Sequence, residues 1–384
     1  MIRRLVPALA GCLLATACVW PVPLPGDPVP EIDTVTSWSA ATGTLTVEVT
    51  TTDLIATNVR VFPGGVNNPA LVDTSAPFVF DIDTALLSDS QETLLVLAHD
   101  GATFVLEAEP IPPTGCNGHR ELCERSYDSV RNVTAHNAMS NSTDGWTGPN
   151  QALDVPAQLT SGVRGLMLDT YRAGDLNDIG NPQVPGVDPD ESYLCHAFCA
   201  LGSQPLAEGL GEIREFLESD PAAVVTLIIE SYLDHDLTAA AFDAGGLTPY
   251  AYVHGGGAWP TLGEMIDAGD RLVVLQDEDV DATYPWLMDV WDHSFETHFS
   301  ASVPEDFSCA HLRGTPSNPL FILNHFLTNV FGSPALAAQV NGNPFLIDRA
   351  NECEAFHSRA ATFVTVDFTD IGDVSSAVAT LNGV

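Results

Sequence analysis

Apolar and polar residues alternate with a period of two in the first part of the chain. Between residues 31 and 112 the alternation recurs in short runs such as GTLTVEV, NVRVF, FVFDID and TLLVLAHDG. Clusters of Gly, Asn, Pro and Ser separate these runs. Short alternating runs with turn residues between them are typical of antiparallel strands that bury one face. The pattern therefore predicts a small all-β sandwich over 31–112.

From residue 113 onward, apolar strand-like runs alternate with segments of helical period. The candidate strands are SVRNVTAH, GVRGLMLDT, AAVVTLIIE, AYVH, RLVVLQD, WDHSFET, LFILNHF and TFVTVDF. Eight strands with helical crossovers predict an α/β domain over 113–384, built as a closed parallel (β/α)8 barrel of the TIM type. An open doubly wound sheet is the alternative, although the chain has no GxGxxG or P-loop motif that would favour nucleotide binding.

The first thirty residues have the pattern of an export signal followed by a tether. Two arginines precede a short apolar run, and small residues lead up to Cys18. The stretch LATAC resembles the lipobox of bacterial lipoproteins, in which the cysteine is acylated. We expect a signal peptide over 1–17, lipidation at Cys18 and a stiff proline-rich tether over 18–30. The predicted location is the bacterial cell envelope, with a membrane anchor; ordinary cleavage near Ala17 and secretion is the alternative.

Six cysteines follow the signal, and an even number in an exported chain predicts three disulfides. The short spacings favour the pairs Cys116 with Cys123, Cys195 with Cys199, and Cys309 with Cys353. The motif CHAFC is also compatible with a soft-metal site. An oxidising compartment favours the disulfide over the metal site.

The chain is strongly acidic, with 13 Lys and Arg against 51 Asp and Glu and a formal net charge of -38. A surface of this charge repels a phosphate-rich polymer, so we expect no nucleic-acid partner. The acidity favours solubility, including in a salty habitat. A functional interpretation is that cations help the protein to meet its substrate.

Polar residues stand where the predicted barrel strands end, which is where a parallel barrel carries its reactive side chains. Strand alternation in GLMLDT and VVTLIIE places Asp169 and Glu230 at the mouth of the barrel. Like charges in a cleft are unfavourable unless a cation or a proton compensates them, so a hard divalent ion with oxygen ligands is expected there. The full set is His136, Asn137, Asp169, His196, Glu230, Asn324, His325 and Asp367.

Two histidines in this set, His136 and His196, supply what phosphodiester cleavage requires. One group must take a proton from the attacking hydroxyl, and another must give a proton to the departing oxygen. Imidazole suits both tasks because its ordinary pKa lies near neutrality. Asp367 is a candidate for orienting His136 through the second ring nitrogen, and Arg172 is a candidate phosphate contact. His325, with Asn324, either lines the pocket or caps the seventh strand.

An ordered series of motifs resembles a known family. The motifs are VTAHNAMSN, QLTSGVRGLMLDTY, LCHAFCALGSQPLAEGLGEIREFLESDPAAVVTLIIE, WPTLGEMIDAGDRLVVL, FETHFS, NPLFILNHFL and VDFTDIGD. Over 116–384 they look like the phosphatidylinositol-specific phospholipase C superfamily, in particular its secreted bacterial and fungal relatives. The resemblance implies a β/α barrel that cleaves phospholipid phosphodiesters by attack of a sugar hydroxyl on phosphorus. The segment VDTSAPFVFDIDTALLSDSQETLLVLAHDGA likewise resembles bacterial immunoglobulin-like modules, which act as spacers.

Carried over residue by residue, the resemblance implies that His136 is the general base and His196 the general acid. Asn137, Asp169 and Glu230 match calcium ligands of the metal-dependent members. The chain departs from that pattern at Met167, where those relatives often have another acidic ligand, and Asp169 stands where metal-independent relatives have arginine. We expect Ca²⁺ as cofactor, with Mg²⁺ as the alternative, and metal-independent catalysis stays open.

The substrate class also leaves alternatives. A glycerophosphodiesterase or a sphingomyelinase-D-like hydrolase would use a similar barrel for a different reaction. A surface binding protein whose barrel has lost its activity belongs to another class, and Met167 favours it mildly while the two histidines argue against it.

Overall fold

The computed structural model describes residues 17–20, 28–65, 69–87, 91, 93–111, 114–172, 191–329 and 331–384, and the chain divides into two compact units after Cys123. This division lies later than the boundary predicted at 112–113. A disulfide joins Cys116 to Cys123, and the guanidinium of Arg120 between them donates a hydrogen bond to the carbonyl of Leu87. The cysteine-bounded loop therefore belongs to the first unit.

The first unit consists of two antiparallel sheets around one core. The sheet orders are β1-β8-β7-β4-β5 and β2-β3-β6. In β3 the side chains of Leu45, Val47 and Val49 are buried, and those between them face outward, so the period of two is observed as predicted. The strands are β1 (Ala17–Trp20), β2 (Glu31–Ser39), β3 (Thr44–Thr52), β4 (Asn58–Phe62), β5 (Leu71–Asp73), β6 (Phe78–Asp83), β7 (Thr93–His99) and β8 (Phe104–Pro110).

The strand β1 occupies the start of the region predicted as a tether, and it pairs antiparallel with β8. The remaining part of the predicted signal, residues 1–16, and residues 21–27 lie outside the described residues. The likeness of this unit to an immunoglobulin-like module stays a prediction.

The second unit is an α/β domain with a curled, mainly parallel sheet. Its strands are β9 (Asn132–Ala135), β10 (Gly165–Arg172), β11 (Ser192–Cys195), β12 (Ser203–Pro205), β13 (Val225–Ser231), β14 (Leu272–Gln276), β15 (Leu287–Asp289), β16 (Ser294–Thr297), β17 (His311–Gly314), β18 (Leu320–Asn324) and β19 (Phe363–Val366). Its helices are α1 (Val155–Thr160), α2 (Leu206–Ser219), α3 (His235–Gly245), α4 (Leu262–Ala268), α5 (Val290–His293), α6 (Pro334–Val340), α7 (Phe345–His357) and α8 (Val374–Asn382).

Within the described residues, eight strands pair in parallel in the order β15-β14-β13-β10-β9-β19-β18-β16. This order follows the chain around a curve, which excludes the doubly wound alternative. The apolar stripe of α2, with Leu206, Leu210, Ile213 and Leu217, is buried in the same core as Leu166 of β10. The antiparallel strands β11 and β17 are attached to β10 and β16.

Two details of the barrel prediction are wrong. The stretch AYVH does not form a strand, since only Ala251 pairs with Leu272 and a run of three glycines follows His254. The sheet is also open, because β15 and β16 are not paired with each other among the described residues. Only the short helix α5 links them, and a parallel pair needs a crossover of about a dozen residues or more.

Two further disulfides join the predicted partners within the second unit. Cys195 pairs with Cys199 beside His196, and Cys309 pairs with Cys353 of α7. The motif CHAFC therefore forms a disulfide loop and not a soft-metal site. No helix of the described chain is long and apolar enough to cross a membrane.

Candidate active site

An open cavity lies at the carboxyl ends of the parallel strands. Polar side chains from six parallel strands or the residues that follow them reach it, which fits the expectation that reactive groups gather at this edge of a parallel barrel. Met167, Leu168 and Asp169 of β10 line the cavity, whereas Leu166 does not. The polar lining residues are His136, Asn137, Asp169, Glu230, Asp277, Glu296, Arg313 and Asn324.

His136 is paired with a buried carboxylate. Ala135, the last residue of β9, lies opposite Val366, the last residue of β19. The residues that follow them, His136 and Asp367, therefore lie side by side. The Nδ1 atom of His136 lies 2.8 Å from Oδ1 of Asp367. The ring of Phe326 stacks on the imidazole at 3.8 Å between ring centroids. This arrangement fixes the ring plane and leaves the Nε2 atom for another partner.

His196 has a matching partner in Asp169, whose Oδ2 atom lies 2.9 Å from the Nδ1 of His196. Burial raises the pKa of Asp169, and the nearby charge of Glu230 adds to this effect. For His196, burial acts to lower the pKa, but the hydrogen bond and charge of Asp169 outweigh it and the pKa is raised. The pair therefore favours the protonated imidazolium at higher pH than a free histidine would.

Asn137 connects the two histidine sites. It follows His136 directly, and its Nδ2 atom lies 3.5 Å from the Nε2 of His196. The side chain of His196 does not line the cavity itself, but both of its contacts, Asn137 and Asp169, do so. Asn137 has φ of 45°, a left-handed conformation that asparagine tolerates better than most residues.

A left-handed residue follows three of the four paired side chains. These residues are Asn137 after His136, Ala197 after His196, and Phe368 after Asp367, with φ of 45°, 54° and 50°. Such a conformation is costly for Phe, and strain of this kind collects at functional sites where the surroundings enforce it. Here it turns the chain immediately after each strand or loop has delivered its side chain.

Three charged residues at the cavity were missed in the sequence. Asp277 follows β14, and its burial together with the charge of Glu230 raises its pKa to about 6. Glu296 of β16 accepts a hydrogen bond from Asn324 at 2.9 Å and forms an ion pair with Arg313 of β17. The acidic ends of RLVVLQD and WDHSFET were available signals, whereas Arg313 sits on an antiparallel strand that no pattern predicted.

Two of the predicted site residues lie elsewhere. Arg172 does not line the cavity, and its guanidinium pairs with Asp234 at 2.6 Å in a half-exposed ion pair. His325 is fully buried behind Asn324, with its Nε2 atom 2.9 Å from the carbonyl of Val340. Burial and the neighbouring Arg349 lower the pKa of His325 to about 3, so it is a neutral structural residue.

The three residues predicted to hold a divalent cation have side-chain oxygens that could bind it. Asn137, Asp169 and Glu230 line one cavity, and each has one side-chain oxygen that makes no hydrogen bond within the described chain. In that part of the chain, no group of three or more His, Cys, Asp and Glu side chains is arranged to hold a metal. Two carboxylates and one amide oxygen thus form a weak but chemically suitable set for a hard cation.

Comparison with known proteins places this chain in one family. The family described as PI-PLC X 1 matches residues 122–382, and the chain belongs to this PI-PLC X domain family. The resemblance seen in the sequence is thereby confirmed.

Two relatives come from the fungus Arthroderma benhamiae. A PI-PLC X domain-containing protein 1 is 32% identical over 292 residues, which cover 70% of this chain and 89% of that protein. An uncharacterized secreted protein is 28% identical over 300 residues, covering 71% of this chain and 64% of the relative. A solved structure of a mutant phosphatidylinositol-specific phospholipase C from Staphylococcus aureus has 14% identity and a TM-score of 0.43, covering 67% of this chain and 92% of that one.

Proposed function

We propose that the protein is a phosphodiesterase of the phospholipase C type that cleaves the phosphodiester of a phospholipid head group. The observation that carries this proposal is a pair of imidazoles, each hydrogen-bonded through Nδ1 to its own carboxylate. His136 lines the cavity, and His196 contacts Asn137 and Asp169, which both line it. Membership of the PI-PLC X domain family supports the reaction class.

In the proposed reaction His136 is the general base. Asp367 accepts the Nδ1 proton of His136, so the neutral ring has a lone pair on Nε2. This lone pair takes the proton of a head-group hydroxyl, whose oxygen then forms a bond to phosphorus. The bond between phosphorus and the glycerol oxygen breaks at the same time.

His196 is the general acid in this proposal. Asp169 stabilises the imidazolium, which donates its Nε2 proton to the departing glycerol oxygen. The products are diacylglycerol and a cyclic phosphodiester. Water can open the cyclic product when the two histidines exchange roles.

A divalent cation, Ca²⁺ or in second place Mg²⁺, is proposed as cofactor. The free oxygens of Asn137, Asp169 and Glu230 would hold it, and Asp277 adds another carboxylate to the same cavity. Such an ion would stabilise negative charge on the phosphoryl oxygens and lower the pKa of the attacking hydroxyl. It would also compensate the carboxylates of the cavity, where burial and, to a smaller extent, the charge of Glu230 raise the pKa values of Asp169 and Asp277.

A lipid is proposed as substrate because exposed apolar side chains lie next to the site. Phe299 lines the cavity and is 41% exposed, and Phe198, two residues after His196, is 50% exposed. Tyr232 is 50% exposed and donates to Glu230 at 2.6 Å. Side chains in these positions can contact the apolar part of a lipid interface.

Export is proposed for the whole protein. The three disulfides and a relative that carries the name of a secreted protein support it. The lipid anchor at Cys18 and a location in a bacterial envelope stay predictions, since the side chain of Cys18 lies outside what the structure describes and the fungal relatives give no support for them.

The test is phosphorus NMR of the products formed from a panel of phospholipids, run with Ca²⁺, with Mg²⁺ and with a chelator. The proposal expects a cyclic phosphate from at least one lipid that has a hydroxyl next to the phosphate. Release of choline from a choline phospholipid, whose head group has no such hydroxyl, would instead support the glycerophosphodiesterase or sphingomyelinase-D-like alternative. No turnover of any lipid, with a folded protein, would support the inactive binding protein.

A further inference from the structure

Hydrogen bonds connect His136, through Asp367 and Asn150, to Asn137, whose side chain lies beside His196. The Oδ1 atom of Asp367, which contacts His136, also accepts from Nδ2 of Asn150 at 3.1 Å. The Oδ1 atom of Asn150 accepts from Nδ2 of Asn137 at 3.4 Å, and the same Nδ2 lies 3.5 Å from Nε2 of His196. Asn150 is therefore the central member of a network that joins both halves of the site.

The backbone of Asn150 is also hydrogen-bonded to residues next to the site. Its carbonyl accepts a hydrogen bond of 2.9 Å from the amide of Phe368, the left-handed residue that follows Asp367. Its amide donates to the carbonyl of Ser140 at 2.9 Å. Asn150 is 3% exposed, so these bonds are shielded from water and define one arrangement.

The next residue extends this attachment to the strand ends. The fully buried Gln151 donates from Nε2 to the carbonyls of His136 and Val366, at 2.8 and 3.1 Å. Its Oε1 atom accepts from the amide of Thr369 at 3.0 Å. The two residues thus fix the ends of β9 and β19, from which His136 and Asp367 extend.

An amide at position 150 is the group that this network requires. Asparagine donates from Nδ2 and accepts at Oδ1, so it can serve Asp367 and Asn137 together. An aspartate of the same shape could not donate to Asp367 and would place two carboxylates in contact. An alanine would leave a buried carboxylate oxygen and a buried amide with one partner fewer.

We propose that Asn150 is a positioning residue that holds the carboxylate of Asp367 against His136 and orients the side chain of Asn137. Its side chain is buried and, in the part of the chain that the structure describes, bonds only to Asp367 and Asn137, so it acts on the reacting groups through these two residues. Its kinetic consequence rests on the proposed function, whereas its effect on the hydrogen bond between His136 and Asp367 does not.

The test compares Asn150→Ala and Asn150→Asp with Asn141→Ala. Asn141 is a matched control because it is 1% exposed in the same segment, and its side chain bonds to Met139 and Asp144 at 3.1 and 2.7 Å and to no residue of the network. Proton NMR follows the Nδ1 proton of His136, which a bond to a carboxylate shifts downfield. Turnover of the best phospholipid gives kcat and KM.

Both Asn150 variants are expected to lose or broaden the downfield Nδ1 resonance, and kcat should fall about 10- to 100-fold with KM changed less than about twofold. Asn141→Ala should keep the resonance and kcat even if its stability falls. An unchanged resonance in both Asn150 variants would overturn the proposal. If the wild type turns over no lipid and the Asn150 variants lose the resonance, the proposed function is contradicted and the positioning role stays supported.

The wild-type protein decides the question if neither Asn150 variant folds. The side-chain amide protons of Asn150 should then exchange with solvent as slowly as backbone amides of the core. Rapid exchange would overturn the proposal, because a group that positions Asp367 must hold its hydrogen bond nearly all the time.

Discussion

The Nδ1 atom of His196 lies 2.9 Å from the carboxylate of Asp169. Asp169 is almost fully buried, and it is the register partner of Glu230 on the neighbouring strand. The carboxylate raises the pKa of the histidine above its ordinary value, although burial acts in the opposite direction. A general acid must be protonated when the substrate binds, so this pair extends the pH range in which His196 can act.

Asp169→Asn should therefore lower the pKa of His196 and shift the alkaline limb of the pH profile of kcat/KM to lower pH. The raised pKa of His196 in the folded protein also means that this pair contributes stability below the unfolded pKa and loses it as the pH rises through the folded pKa. NMR titration of the imidazole and the pH profile check both statements. An unshifted alkaline limb would show that another group sets it.

Glu230→Gln tests the proposed cation site. The substitution keeps the shape of the side chain but removes one of the negative charges that crowd the cavity. Calorimetry should show weaker Ca²⁺ binding, and activity should need more Ca²⁺ to reach its maximum. Equal activity of the wild type in Ca²⁺ and in chelator would contradict a role for the ion, without affecting the histidine roles.

Two exposed phenylalanines test the lipid interface: Phe299 lines the cavity, and Phe198 follows His196 by two residues. Phe299→Ala and Phe198→Ala should raise the apparent KM for phospholipid in vesicles several-fold, because each removes apolar area that can enter the interface. Turnover of a short-chain soluble substrate should change less. Phe356→Ala is the matched control, since Phe356 is 67% exposed on α7 and does not line the cavity. If all three variants change the apparent KM for vesicle phospholipid equally, the result would argue against a specific lipid interface at the site.

Gly314→Ala tests whether the close packing of β17 against β16 holds Arg313 in its ion pair with Glu296. Gly314 has φ of +73°, and a Cβ there would lie 2.2 Å from the backbone carbonyl oxygen of Ser294. Gly314→Ala should lower the free energy of unfolding by about 1–3 kcal/mol, as overpacked sites do, and should disturb the ion pair between Arg313 and Glu296. Urea unfolding measures the first effect. Gly257→Ala, where a Cβ meets nothing within 4 Å, should leave stability nearly unchanged.

Much of the fold was predictable because the period of the apolar pattern is strong in the longer strands. Runs such as GVRGLMLDT and AAVVTLIIE are central strands whose side chains are buried on both faces. The error at AYVH arose because a short apolar run does not reveal whether it has a neighbour to pair with. The opening between β15 and β16 depends on the length of α5, which an apolar pattern does not define.

The site was predictable where a polar side chain lies at or near the end of an apolar run. His136 and Asp367 directly follow β9 and β19, and Asp169 and Glu230 lie in the carboxyl-terminal halves of β10 and β13. Arg313 and Asn150 do not satisfy this condition, because one lies on an antiparallel strand and the other on a loop that returns to the strand ends. Their positions follow from tertiary packing and not from any local period.

Replacement of His136 by alanine is the most direct test of the account. His136→Ala should lose at least about 100-fold in phospholipid cleavage while its thermal unfolding stays close to that of the wild type. His235→Ala is the control, since this histidine pairs with Asp279 and does not line the cavity. Full activity of folded His136→Ala on the same lipid would contradict acid-base catalysis by the two histidines.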